Sequence, residues 1–310
     1  MVFNLLLGTA VTAGLFWPAP GLAVAPWSRQ LVIAVMFLMS VTLPAERLRA
    51  AVGNVRGWGA AFGVGYFVLP LLCGVLGHWL FATEPGPLAG MVILGALPCT
   101  LASATVWTRL AGGDDALALT YTVLSNLASI VFIPAYLLLF LGSALDVPTT
   151  RLLTDLSIVV LAPVAIGQAV RHLLGTRVDR AKLAISRVAQ GLVLTIVLVA
   201  VSNMSGAIHA QPGTVVRLAL LGALVHTAAL ALGHGVAARL GCSRAERIAV
   251  GFSGSQKTLF IGVFLAREYF PAAPLALLPI TAYHVLQLVI DTVVAGHLAR
   301  ATHVEGSPAG

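Results

Sequence analysis

The sequence predicts an all-α membrane protein: ten transmembrane helices as two inverted five-helix repeats, with helices four and nine broken and crossing. Composition, the spacing of apolar runs and two interrupted runs half a chain apart carry that expectation. Of the 310 residues 59% are hydrophobic and 9% charged, with a mean hydropathy of +0.97. An ordinary soluble domain carries about 25% charged residues, so this chain lacks the polar surface to cover itself in water. Its partner is the lipid bilayer. The net charge of +7 then marks loops on one membrane face, and no nucleic-acid partner is expected. Cys73, Cys99 and Cys242 have neither paired nor metal-ligand spacing, so no disulfide framework or structural zinc is expected.

Cutting at polar and Pro/Gly clusters leaves ten runs near the length of about 20 residues that spans a bilayer. They are 3–22, 28–45, 58–81, 87–109, 115–142, 152–172, 187–208, 215–238, 246–267 and 274–299. The first ends near Ala23-Val24-Ala25, the small-residue pattern of a signal-peptidase site. No basic residue precedes Arg29, so a first span is expected there and not a removed leader. Thirteen basic residues, from Arg47 and Arg49 to Arg300, fall at one set of alternate ends. Only Arg29, Arg151, Arg217 and Arg267 fall at the other. The richer face should be cytoplasmic, which puts both termini inside, in a bacterial inner membrane.

Run four contains "ALPCTLASATVW" (96–107) and run nine "GFSGSQKTLFIG" (251–262), each interrupted by Pro or Gly and small polar residues. Pro98 and Ser253 lie 155 positions apart, half the chain. Five spans per half is an odd number, so the halves, 1–145 and 150–300, enter the membrane in opposite directions. Matched interruptions in inverted halves point to a transporter's midplane site. Taken singly, each could be a packing kink.

The stretches "LPCTLASATVWTRLAGGDDALAL" (97–119), "SNLASIVFIP" (125–134) and "GSQKTLFIGVFLA" (254–266) resemble the bile acid:sodium symporter superfamily, more closely its SBF-like branch. The resemblance covers nearly the whole chain. It implies a panel of spans 1, 2, 6 and 7, a core of spans 3–5 and 8–10, and a small, anionic organic solute bound between them. Sodium is the coupling ion the resemblance implies; no other cofactor, resident metal or enzymatic activity is expected. The chain departs from the sodium-coupled members at several ligands. Ala104 and Thr105 stand where those carry Ser-Asn, no carboxylate stands near Phe252 or Ser253, and Lys257 replaces an asparagine. Gln256 fits the family's glutamine. Coupling through protons is therefore the alternative to sodium.

Among individual residues, Lys257 is the sharpest. An ammonium at mid-bilayer costs roughly 2.5–3.5 kcal/mol on the most lenient scale and calls for a partner. Asp291 in span ten is the remaining intramembrane carboxylate, so a Lys257–Asp291 pair is one reading. The other is a resident cation that supplies the charge a bound sodium ion would have supplied. Thr100, Ser103 and Thr105 line the first interruption; Ser253, Ser255, Gln256 and Thr258 flank Lys257 in the second. Thr122, Ser125 and Asn126 face the same region if the implied packing holds. Hydroxyls and amides of this kind suit a dehydrated cation or a carboxylate, and serve equally for interhelical hydrogen bonds. Of the membrane histidines His226, His234 and His284, His284 is the coupling candidate because it shares a span with Asp291. Asp114 in "GGDD" is a helix cap.

Two rivals remain. Gly251-Phe252-Ser253-Gly254 matches the GxSG of intramembrane serine proteases, with His284 as base, though proteolysis leaves the interruption in run four unexplained. A non-transporting membrane regulator would also accommodate the lost ion ligands.

Overall fold

The computed structural model describes residues 2–43, 53–100, 103–142 and 149–305. These residues are helical, joined by short turns, and no strand occurs among them. In chain order the helices are α1 (Val2–Phe16), α2 (Ala19–Val41), α3 (Val55–Phe81), α4 (Pro85–Ala96), α5 (Ser103–Leu110) and α6 (Asp115–Leu141). The second half adds α7 (Thr149–Leu174), α8 (Thr176–Ala210), α9 (Pro212–Arg239), α10 (Arg244–Ser255), α11 (Leu259–Tyr269) and α12 (Leu277–Glu305). Arg47, Arg49, Leu101 and Ala102, on which part of the sequence reading rests, lie outside the described residues.

Eight stretches of the described residues are long and apolar enough to cross a bilayer, counting Arg244–Tyr269 as one, and Leu5–Phe16 and Pro85–Ala96 are shorter apolar helices. The chain is thus an integral membrane protein. The predicted boundaries move where proline acts. The first run ends at Phe16, before Trp17-Pro18, and the second helix begins at Ala19, nine residues earlier than its predicted run. α8 extends through the Arg/Lys-rich stretch from Thr176, because charged side chains on a helix end protrude into water at no cost to its backbone.

Two caps place helix ends as local chemistry dictates. Asp114 accepts from the N–H groups of Ala116 and Leu117 and starts α6, as the sequence predicts. Ser243 and Glu246 form a reciprocal capping box that starts α10.

α1, α2, α7 and α8 pack on one another, and α3–α6 pack with α9–α12. The two groups touch where α6 meets α7, where α8 meets α9, α11 and α12, and where α11 meets α2. α10 and α11 are central: every residue from Ile248 to Ala266 is buried, whereas much of α9 is exposed. A helix pair enclosed on all sides meets protein and not lipid, which is the setting in which an interrupted helix is tolerated.

Candidate functional site

The first interruption has a local cause in proline, and the second follows Ser255. Pro98 disfavours helical geometry at the residue before it, and Leu97 is extended with ψ 148°, so α4 stops at Ala96. In α10 the Ser255 hydroxyl bonds back to the carbonyls of Gly251 (2.8 Å) and Phe252 (3.2 Å), and Gln256 and Thr258 turn extended, with ψ 140° and 137°.

The two breaks meet. The Thr258 N–H donates to the Pro98 carbonyl (2.9 Å). The Lys257 ammonium donates to the carbonyls of Leu97 (2.7 Å), Gly95 (2.8 Å) and Gly65 (2.7 Å). Its Nζ lies 5.5 Å from the centroid of the Tyr66 ring. Lys257 is 3% exposed. The last four carbonyls of a helix have no intrahelical donor, and that end carries the negative pole of the helix dipole. An ammonium at the end of α4 answers both. Glycine makes the approach feasible: a Cβ on Gly95 would stand 2.8 Å from the Pro70 Cα of α3.

Lys257 does not pair with Asp291. Fully buried Asp291 accepts from Gln256 Nε2 (2.5 Å) and shares a hydrogen bond with His226 Nε2 (2.8 Å). Gln256 Oε1 in turn accepts from Thr100 (2.6 Å) and Ser103 (2.7 Å) of the first break. Asp291 on α12 is thereby joined through Gln256 to the chain around Pro98. The histidine beside Asp291 is His226 of α9, although His284 shares its helix. His284 Nδ1 faces the Gln287 amide (2.9 Å) and the Lys257 carbonyl (3.5 Å).

Several partners escape sequence reading. Gln287 clamps the Lys257 peptide from both sides, accepting from its N–H (2.9 Å) and donating to its carbonyl (3.0 Å). The Tyr283 hydroxyl caps the Ser255 carbonyl (2.6 Å). Tyr66 donates to the Ser125 carbonyl (2.5 Å). Helical spacing hinted at Gln287, which stands four residues before Asp291 and three after His284.

The α6 residues converge on Cys99. Asn126 Nδ2 donates to the Cys99 carbonyl (3.0 Å) and Ser125 Oγ accepts from the Cys99 N–H (3.3 Å), so both hold the first break. The Thr122 hydroxyl lies 3.6 Å from the Cys99 sulfur and bonds the Ala118 carbonyl one turn back (2.8 Å). The Asn126 Oδ1 and the hydroxyls of Thr105, Ser253 and Thr258 are buried with no hydrogen-bond partner among the described residues. His284 is therefore not hydrogen-bonded to Ser253, and a nucleophile–base pair is not formed.

The model of the SBF-like CPA transporter family matches residues 2–300. The chain belongs to that family. Relatives of this SBF-like chain include the Uncharacterized protein PA2026 of Pseudomonas aeruginosa, 29% identical over 96% of this chain and 92% of its own length. The Probable sodium/metabolite cotransporter BASS4, chloroplastic, of Arabidopsis thaliana is 28% identical over 84% of this chain and 63% of its own. The mouse Sodium/bile acid cotransporter 7 is 24% identical over 84% and 80%.

Proposed function

We propose that the protein is a secondary active transporter that moves a small, anionic organic solute by alternating access, with Lys257 as the resident cation of the helix crossover. The single observation that carries this reading is the ammonium held by the carbonyls of Gly65, Gly95 and Leu97 where two broken helices meet. Half-helix ends and free carbonyls at a midplane crossing are the materials of a transport site.

In this reading the chain forms ten spans as inverted repeats 1–145 and 150–300, in the inner membrane with both termini cytoplasmic. The mutual packing of α1, α2, α7 and α8 supports a panel that rocks against the remaining helices as a core. The names of the plant and mouse relatives support sodium as the coupling ion. The Asn126 Oδ1 and Thr105 hydroxyl, unpartnered among the described residues, support a sodium site on the side of the first break toward α6. Protons are the alternative, because an ammonium and a sodium ion ~4 Å apart repel by about 4 kcal/mol at an effective dielectric of ~20. That corresponds to roughly a thousandfold in affinity.

A thermal-shift screen of purified protein against Na⁺, Li⁺, K⁺, Ca²⁺ and a carboxylate library tests this reading, since selective ligands stabilise the fold by mass action. The hit is then used for uptake into proteoliposomes. Solute accumulation driven by a sodium or proton gradient is the expected result. Stabilising hits without uptake would favour a non-transporting regulator.

A further inference from the structure

At the end of the bundle opposite the basic loops stand four arginines. Three have carboxylate partners: Arg29 with Asp155 (2.8 Å), Arg151 with Glu268 (2.7 Å) and Arg217 with Glu84 (3.3 Å). Among the described residues Arg267, in the last turn of α11, forms no ion pair and its Nη1 is buried without an acceptor. It is half-buried and lines a cavity of about 100 Å³ with Asn203 of α8, Phe270 and Leu277. Asn203 spends one amide hydrogen on the Val199 carbonyl (2.7 Å), which leaves the second for the cavity. Across Ala273 and Pro274, which line both, lies a larger cavity of about 440 Å³ that reaches Glu84, Ala207 and Gln211. Glu84 is neutralised by Arg217, so the uncompensated charge of the pair of cavities is the Arg267 guanidinium.

We infer that these two cavities form one binding site for a small organic carboxylate, its headgroup on Arg267 and Asn203 and its body in the larger space. A guanidinium offers a carboxylate two parallel N–H bonds, a fork that Lys cannot reproduce. The smaller cavity has room for a carboxylate or a few waters. The larger is within the range that encloses small-molecule ligands. The site joins α8 to α11, helices of the two packing groups, so a solute bound there touches both bodies. Its role as a subsite on the path to the crossover rests on the transport reading; binding itself does not.

The test is thermal unfolding of the purified full-length protein at constant ionic strength, with benzoate, acetate and the neutral isostere benzamide as probes. Benzoate should raise the midpoint, acetate less, and benzamide not at all. Loss of charge-assisted bonds in Arg267→Gln should weaken benzoate at least tenfold. Arg267→Lys should retain part of the effect. Should Arg267→Gln not fold, Asn203→Leu provides the second variant, with a smaller loss. Lys257→Gln should leave the benzoate shift in place. Equal shifts with benzoate and benzamide, no benzoate shift in the wild type, or a shift that survives Arg267→Gln would overturn the inference. A shift lost in Lys257→Gln but not in Arg267→Gln would also overturn it, placing the carboxylate at the crossover and leaving the transport reading standing.

Discussion

The backbone of the break after α4 presents acceptors, the carbonyls of Gly95, Leu97 and Pro98, to the Lys257 ammonium and the Thr258 N–H of the break after α10, whereas the side chains run the other way, Thr100 and Ser103 donating to Gln256 Oε1. The first is made by the backbone, through Pro98, and the second is held by side chains, through the Gln287 clamp on Lys257. Two interrupted helices of the same chemistry would leave unsatisfied groups facing one another in a site shut off from water, at about 1–3 kcal/mol each. Complementary chemistry removes that penalty and makes one break depend on the other. Lys257 is the element by which they depend, because its single ammonium satisfies carbonyls from α3 and from the end of α4.

Removing the ammonium is the largest blow to this arrangement. Lys257→Ala should abolish solute uptake in proteoliposomes while the protein stays folded and monodisperse by size-exclusion chromatography. A loss of folding would instead mean that the lysine serves only to hold α3, α4 and the second break together. Next comes the clamp. Gln287→Leu strands both the N–H and the carbonyl of the Lys257 peptide, so it should destabilise the protein by about 2–4 kcal/mol in denaturant unfolding. A cost under about 1 kcal/mol would show that the second break does not need side-chain support.

Asn126→Ala probes the first break, uncovering one carbonyl, that of Cys99, and should cost about 1–2 kcal/mol, less than the Gln287 change. If the order were reversed, the first break and not the second would be the one held by side chains. Ser253→Ala should be the mildest change. The hydroxyl it removes has no partner among the described residues, so stability should move by less than about 0.5 kcal/mol and uptake should persist. Fluorophosphonate should not label the wild-type serine; labelling would restore a proteolytic reading.

The contrast between the breaks also explains what the sequence could and could not reveal. Both interruptions were legible, because Pro98 and the cluster 251–258 break apolar periodicity in the chain itself. The Asp114 cap was legible for the same local reason. The partner of Lys257 was not. Reasoning by charge pairs the ammonium with Asp291, the carboxylate of span ten, but carbonyl oxygens freed by a helix end solvate a cation and carry no residue-type signature. His226 was passed over for the converse reason. It lies 65 positions from Asp291 in sequence and is brought to it only by the packing of α9 on α12. Arg267 could be placed on its face from the sequence, yet its lack of a counter-charge is visible only once the other three arginines are seen to be paired.

The central claim is that Lys257 occupies, with its own charge, a position that a bound cation would otherwise fill. Equilibrium dialysis of the purified protein against radiolabelled sodium, read as ions bound per chain, tests it most directly. No more than one sodium ion per chain is expected for the wild type, because a second beside the ammonium would meet a repulsion of several kcal/mol. Two sodium ions bound per wild-type chain, with Lys257 intact and charged, would contradict it.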